Sequence, residues 1–300
     1  MWPRTTMYFS GSMTHPSVVE RLTSTGVHRL FTYAAPKEVH EYLRYCDQHQ
    51  RKARIMLDSG AFTAWNIGKP VQLEKLVAYD LDLIQRYPHH EFVFIALDVI
   101  PGERGRMATQ VEIDAAVRQS YNNFRHMQAA LGGATVLPVY HSGEDKRLRD
   151  AYLSLTDYVC LSPNQNMSEA QRFQWARESI VDGYKFHGLA TTGNRMLTFV
   201  DWFSVDSSGW LMVAAMGAIL FPVGNELKPV SVSSTAPTRK VAGQHITTMG
   251  EAPWVIEKIR AQGYDPEVLA TDYAARICWN IDRWNENHWN KRPQRANTLF

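Results

Sequence analysis

Short runs of apolar and β-branched residues recur along the chain with longer stretches between them. They are MYFSG (7–11), HRLFTYA (28–34), RIMLD (54–58), FVFIALD (92–98), TVLPVYH (135–141), YVCLS (158–162), YKFHGLA (184–190) and DWFSVD (201–206). Runs that are apolar on both faces suit parallel strands covered by helices. The segments between them, such as VQLEKLVAYDLDLIQRY and EIDAAVRQSYNNFRHMQAAL, place apolar residues three and four apart, the spacing of a helix with one buried face. Eight alternating units predict an α/β fold, a (β/α)8 TIM barrel, with a doubly wound open sheet as the competing arrangement. The polar residues favour the barrel. Asp58, Asp98, His141, Ser162, Gly188 and Asp206 each lie at or near the end of a different strand, where barrel proteins assemble a site from several loops.

The alternation stops after Asp206. The stretch GWLMVAAMGAILFPVGNELKPVSVSS reads either as a helix followed by a hairpin or as a further βα insertion. From Asp265, an Asp-Pro-Glu start suits a helix N-terminus, and Val268, Leu269, Tyr273, Ile277, Ile281 and Trp284 share one stripe of a long closing helix. The expected organisation is a single domain over residues 1–300. Its barrel strands span about 7–206, an insertion about 211–250 and C-terminal helices about 251–290.

Composition narrows the classes. A chain of 300 residues that is 45% hydrophobic can bury one large core. The longest weakly polar run, WLMVAAMGAILFPVG, is too short and too glycine-broken to span a bilayer, and MWPRTTMYFSG lacks the apolar core of a signal peptide. The expectation is a soluble chain with no membrane partner, resident in the cytoplasm. Cys46, Cys160 and Cys278 match neither a disulfide framework nor zinc-ligand spacing, so no metal and no cofactor are expected. A net charge of +2 does not by itself demand a nucleic-acid partner.

The chemistry begins at RIMLDSGAFTAW (54–65), where an apolar strand ends in Asp58, Ser59 and Gly60. Such residues favour turns, but a parallel strand's carboxyl end is also where ligands bind. Its companions are ALDVIPG around Asp98, PVYHSGED around His141, FHGLATTG around Gly188 and FSVDSSGW around Asp206. In order and spacing, from about Ile55 to Trp210, these motifs resemble the barrel motifs of the tRNA-guanine transglycosylases. Their departures are most similar to the phage and bacterial relatives that insert 7-deazaguanine bases into DNA.

The resemblance implies an exchange of guanine in DNA for a free 7-deazaguanine base such as preQ0 or preQ1. It assigns Asp206 as the carboxylate nucleophile that holds the sugar as a covalent ester, and Asp58 as the general acid and base. Phe62 corresponds to the aromatic that stacks on the base, with Ser59 and Gly60 close to it. Asp98 corresponds to the acceptor of the guanine ring N–H and amine, and His141 stands where the tRNA enzymes carry a glutamine that binds the base carbonyl. Gly188 and Leu189 correspond to paired backbone groups that contact the base carbonyl and the 7-substituent. HGLATTG lacks the glutamate of the family's GGLAVGE loop, and Ala61 and Thr63 flank Phe62, so an amine, a nitrile or no 7-substituent all fit.

A zinc module after the barrel, present in the tRNA enzymes, has no cysteine cluster here, which leans the reading toward DNA, duplex or locally melted. Cations suited to its phosphates are Arg104 and Arg106, Lys146, Arg147 and Arg149, Arg239 and Lys240, and Lys291, Arg292 and Arg295, each of which also reads as an ordinary surface cation. A tRNA-guanine transglycosylase, a hydrolytic N-glycosidase and a barrel that binds nucleic acid or a purine without chemistry are the alternatives.

Overall fold

The computed structural model describes residues 5–102, 106, 108–164, 166–191, 193–224, 226–233 and 252–286. Parallel strands alternate with helices in the order β1 (Thr6–Ser10), α1 (Pro16–Ser24), β2 (His28–Thr32), α2 (Pro36–Gln48), β3 (Arg54–Asp58), α3 (Ala61–Ile67), α4 (Leu73–Arg86), β4 (Glu91–Ile95) and α5 (Gln110–Ala130). They continue with β5 (Thr135–Leu137), β6 (Val139–His141), α6 (Lys146–Leu153), β7 (Tyr158–Ser162), α7 (Glu169–Ser179), β8 (Lys185–Gly188), α8 (Asn194–Phe199) and β9 (Ser204–Ser207).

The sheet order is β5-β4-β3-β2-β1-β9-β8-β7-β6. Its two ends, β5 and β6, are one stretch of chain interrupted at Pro138, which lacks the N–H that a continuous ladder would use. Leu137 on one side accepts from Ala96 N–H, and Pro138 itself accepts from Cys160 N–H. The order therefore closes on itself as a TIM barrel of eight strands, the fifth in two pieces.

Two apolar layers hold it. Tyr8, Met56, Ile95, Leu137, Val139, Tyr158 and Cys160 fill the barrel interior. Residues of the alternate register, among them Phe9, Phe31, Leu57, Phe94, Leu161 and Phe186, pack outward against the helices. This two-sided burial is why the strands read as near-continuous apolar runs.

The last third resolves as a helix and a hairpin, the first of the two sequence readings. Helix α9 (Gly209–Ala215) leads into antiparallel β10 (Ala218–Val223) and β11 (Glu226–Ser231). Helices α10 (Pro253–Ala261), α11 (Pro266–Thr271) and α12 (Tyr273–Glu286) follow. The single long helix expected from Asp265 is broken at Asp272, whose side chain accepts from Ala274 N–H and restarts the helix. Asp265 does cap α11 through Glu267 N–H, as its Asp-Pro-Glu start suggested. The break rotates the stripe: Val268 and Tyr273 lie at the surface, while Leu269, Ile277, Ile281 and Trp284 are buried. Asn280 ties α12 to the hairpin and α9 by accepting from Leu220 N–H and donating to Trp210 O.

Candidate active site at the barrel mouth

The carboxyl ends of β3, β4, β6, β8 and β9 face one mouth of the barrel, so Asp58, Asp98, His141, Leu189 and Asp206 come to the same end of the molecule. Burial pushes the Cys160 thiol inside the barrel well above its ordinary range, and the charges of Asp206, Asp58 and Asp98 add to that push.

Asp58 ends β3 opposite Thr32 on β2. Its Oδ2 accepts from Gly60 N–H at 3.0 Å. Gly60 takes φ +76, a left-handed conformation that glycine adopts without the Cβ penalty, and an added Cβ would lie 3.3 Å from the Ala34 backbone nitrogen. Burial, then the negative charge of Asp98, outweigh the Gly60 N–H, and with a smaller push from Asp206 they raise the Asp58 carboxyl to about 6. Ser59 is buried and accepts from Ala61 N–H at the start of α3. The Gly60 N–H is thus on Asp58 and the Ser59 oxygen on the α3 backbone, and both residues border the mouth at which the sequence reading places a base. Phe62 is half exposed, not core, and lies nearly parallel to Trp65 with ring centroids 6.3 Å apart.

Asp98 and His141 form a pair: His141 Nε2 lies 3.1 Å from Asp98 Oδ2, and Nδ1 lies 3.3 Å from Glu144 Oε1. The other Glu144 oxygen accepts from the His141 backbone N–H. Burial disfavours the imidazolium, but hydrogen bonds and charge from Asp98 and Glu144 prevail and push His141 up to about 10. A doubly protonated ring between two carboxylates has no nitrogen left for a base carbonyl, the contact its position in the motif suggested. Its effect is to orient the Asp98 carboxyl. Glu144, three residues on in PVYHSGED, was not singled out from sequence, although an i, i+3 His–Glu pair was there to see.

A cleft of about 580 Å³ opens beside Asp98 between α3 and α5, lined in part by Ala64, Trp65, Leu97, Gln119 and Asn123. Asn123 holds the β4 end in place by donating to Leu97 O, and Ser120 accepts from Val99 N–H.

Asp206 sits on β9 and is largely buried. Its Oδ1 accepts from Ala190 N–H at 2.8 Å. Ala190 has φ +50, an unfavourable conformation for a residue with a Cβ, and that turn is what aims its N–H at the carboxylate. Gly188, just before, is required by close packing: a Cβ there would meet Thr191 at 2.9 Å and the Trp202 ring at 3.1 Å. Leu189 N–H is bonded to Leu161 O, and its carbonyl accepts from the Thr191 hydroxyl. The Leu189 N–H is thus engaged by β7, and the Ala190 N–H by the Asp206 carboxylate.

The basic candidates divide. Arg106 is paired with Glu112, and Arg147 with Asp145 at 2.7 Å. Lys146 is exposed at the first turn of α6 on the mouth side. Arg149 pairs with Asp150. Arg104, Arg239, Lys240, Lys291, Arg292 and Arg295 lie outside the described residues.

Away from the mouth, Asp47, His89 and His90 bring three ligand atoms within 4.8 Å of one another. His90 Nδ1 accepts from Ala53 N–H, so its proton is on Nε2, the atom that would have to bind an ion, and Asp47 Oδ1 is hydrogen-bonded to His89 Nε2 at 2.6 Å. Among the described residues no helix is long and apolar enough to cross a membrane.

Comparison with protein-family models and with curated proteins finds no match. Among solved structures the chain is similar to a D-psicose 3-epimerase with D-tagatose from Clostridium cellulolyticum H10. The identity is 8%, over 95% of this chain and 99% of that one, with a TM-score of 0.42. It is also similar to a probable tagatose 6 phosphate kinase from Sinorhizobium meliloti 1021, at 12% identity over 93% of this chain and 86% of that one, with a TM-score of 0.42. Likeness at this level transfers neither substrate nor chemistry.

Proposed function

We propose that this chain is a guanine transglycosylase that exchanges guanine in DNA for a 7-deazaguanine base. The observation that carries the reading is the grouping of three carboxyl groups, from three strands, in three different surroundings at one mouth. Asp58 is raised to about 6 by burial and by its neighbours, Asp98 is paired with a charged His141, and Asp206 has one oxygen anchored by Ala190. A double displacement needs a proton donor near neutrality, an acceptor for the base edge and a held nucleophile.

In the first step an Asp206 oxygen attacks the anomeric carbon of a deoxyguanosine. The bond from that carbon to the base breaks, its electron pair leaves with guanine, and the Asp58 proton goes to the departing base. In the second step the incoming base gives a proton to the Asp58 carboxylate and attacks the same carbon, and the ester bond breaks to restore the Asp206 carboxylate. Asp98, oriented by His141, accepts from the ring N–H and exocyclic amine, an edge found on guanine and 7-deazaguanines but not on adenine. A base must leave the duplex stack to reach such a site.

The test mixes parent and Asp206→Ala protein with a guanine-containing oligonucleotide or tRNA and a 7-deazaguanine, then quenches in denaturant. The expected outcome is an adduct on DNA with the parent, mapped to Asp206 by mass spectrometry and absent from the variant. An adduct on tRNA alone would move the assignment to the RNA enzyme, release of free guanine without incorporation to a hydrolase, and an adduct that survives Asp206→Ala would end the proposal.

A further inference from the structure

Behind Asp206 lies a buried polar chain that the exchange reaction, as described, leaves without a task. His187, on β8, is fully buried, and its register partner on β9 is Ser204, two residues before Asp206. His187 Nδ1 is 2.7 Å from Ser204 Oγ, and Ser204 Oγ is hydrogen-bonded to the Tyr158 hydroxyl on β7. Tyr8 packs edge-on against the His187 ring. The remaining ring nitrogen, Nε2, has no hydrogen-bond partner among the described residues, yet it lies 3.3 Å from Asp206 Oδ1.

The chain of hydroxyls decides the tautomer. Burial keeps the Tyr158 phenol protonated. If Tyr158 donates to Ser204 and Ser204 donates to Nδ1, every proton has an acceptor and Nε2–H faces the carboxylate. The reverse direction would aim a nitrogen lone pair at a carboxylate oxygen and strand the Tyr158 proton. Catalytic hydrogen bonds are often long or poorly aligned before substrate binds, and a small turn of the Asp206 carboxyl completes this one.

We propose that His187 is the positioning residue of the nucleophile, an inference that rests on Asp206 being that nucleophile. Its Nε2–H and the Ala190 N–H together hold Oδ1, so Oδ2 is the oxygen that attacks. Once Oδ2 has formed the sugar ester, Oδ1 is the ester carbonyl and keeps both donors. A donor pair binds a carboxylate more strongly than an ester carbonyl, so it favours the second step, in which Asp206 is the leaving group. Loss of His187 therefore slows release of the sugar more than its capture.

Two measurements test this. In histidine-15N-labelled protein without substrate, His187 should carry its proton on Nε2, and that resonance should shift in Asp206→Asn; a proton on Nδ1, or a resonance that does not move, overturns the contact. In steady-state assays with duplex oligonucleotide and a 7-deazaguanine, His187→Phe should lower kcat about 10²-fold, the usual effect of removing one such donor. KM for the oligonucleotide should fall with kcat, leaving kcat/KM near the parental value, and the covalent adduct should be longer-lived than in the parent. His187→Gln, which keeps a donor at similar reach, should recover most of the rate. Parental turnover in His187→Phe, or a Gln variant no better than Phe, overturns the assignment. If His187→Phe does not fold, Ser204→Ala, which frees the tautomer, should show the same adduct persistence in weaker form, and an unchanged adduct lifetime there counts against it. Absence of any adduct in the parent refutes the transglycosylase reading itself, and the resonance test still judges the His187–Asp206 contact separately.

Discussion

Asp58 and His141 hold protons at pH values where free side chains of their kind have lost them, and Asp98 lies next to the cause of both shifts. Asp58 is raised from 3.8 to about 6 first by burial and next by Asp98. Between those values the folded chain keeps a proton that the unfolded chain has released, so stability falls as pH rises across that window. His141 is raised from 6.5 to about 10, so the stabilisation from its carboxylate partners is complete below 6.5 and lost as pH rises through 10. One substitution, Asp98→Asn, removes a negative charge from both neighbourhoods and should lower both values at once. Carboxyl-13C and histidine NMR titrations of parent and variant check this, and a midpoint that stays in place at either residue would mean that Asp98 is not the coupling group. In the proposed reaction, base release should fall about tenfold per pH unit above about 6 as the Asp58 acid is depleted.

The turn from β8 into α8 stores a conflict between backbone preference and purpose. Ala190 takes φ +50 to direct its N–H at Asp206. A left-handed conformation costs a residue with a Cβ about 1–2 kcal/mol, and glycine gives back about 0.5–1 kcal/mol of that through the freedom it gains when unfolded. Ala190→Gly should therefore stabilise the fold by about 0.5–1 kcal/mol, read from urea midpoints; a lower midpoint would show that the methyl packs usefully in this exposed turn. The same element shows what was legible in the sequence. The strands were, because burial on both faces writes a long apolar run, and the carboxylates were, because a charged residue ending such a run stands out. The role of His187 was not, because a histidine between Phe186 and Gly188 gives no sign that strand adjacency brings Ser204 and Asp206 alongside it. The break at Asp272 was missed for a related reason: helical periodicity continues across it, and only the cap formed by its side chain reveals the restart.

At the scale of the whole molecule, the question is how a chain of net charge +2 would hold a polyanion at the barrel mouth. The loop between β6 and α6 opens on that mouth and presents Arg147, but the guanidinium is clasped by Asp145 through both Nε and Nη2, at 3.0 and 2.7 Å. An exposed ion pair of this kind is worth little, so a phosphate can displace the carboxylate, although Asp145 also repels the approaching anion. Asp145 caps α6 by accepting from Arg147 N–H, and asparagine caps about as well, so Asp145→Asn removes the charge while leaving the helix start intact. If the mouth receives nucleic acid, this variant should bind duplex oligonucleotide several-fold more tightly at 0.1 M salt. The slope of log K against log salt should steepen by about 0.9, one further phosphate contact. Fluorescence anisotropy across a salt series measures both quantities. Arg147→Ala in the Asp145→Asn background should return the slope to its parental value. An unchanged affinity and an unchanged slope in Asp145→Asn would place the nucleic-acid path away from the β6–α6 rim.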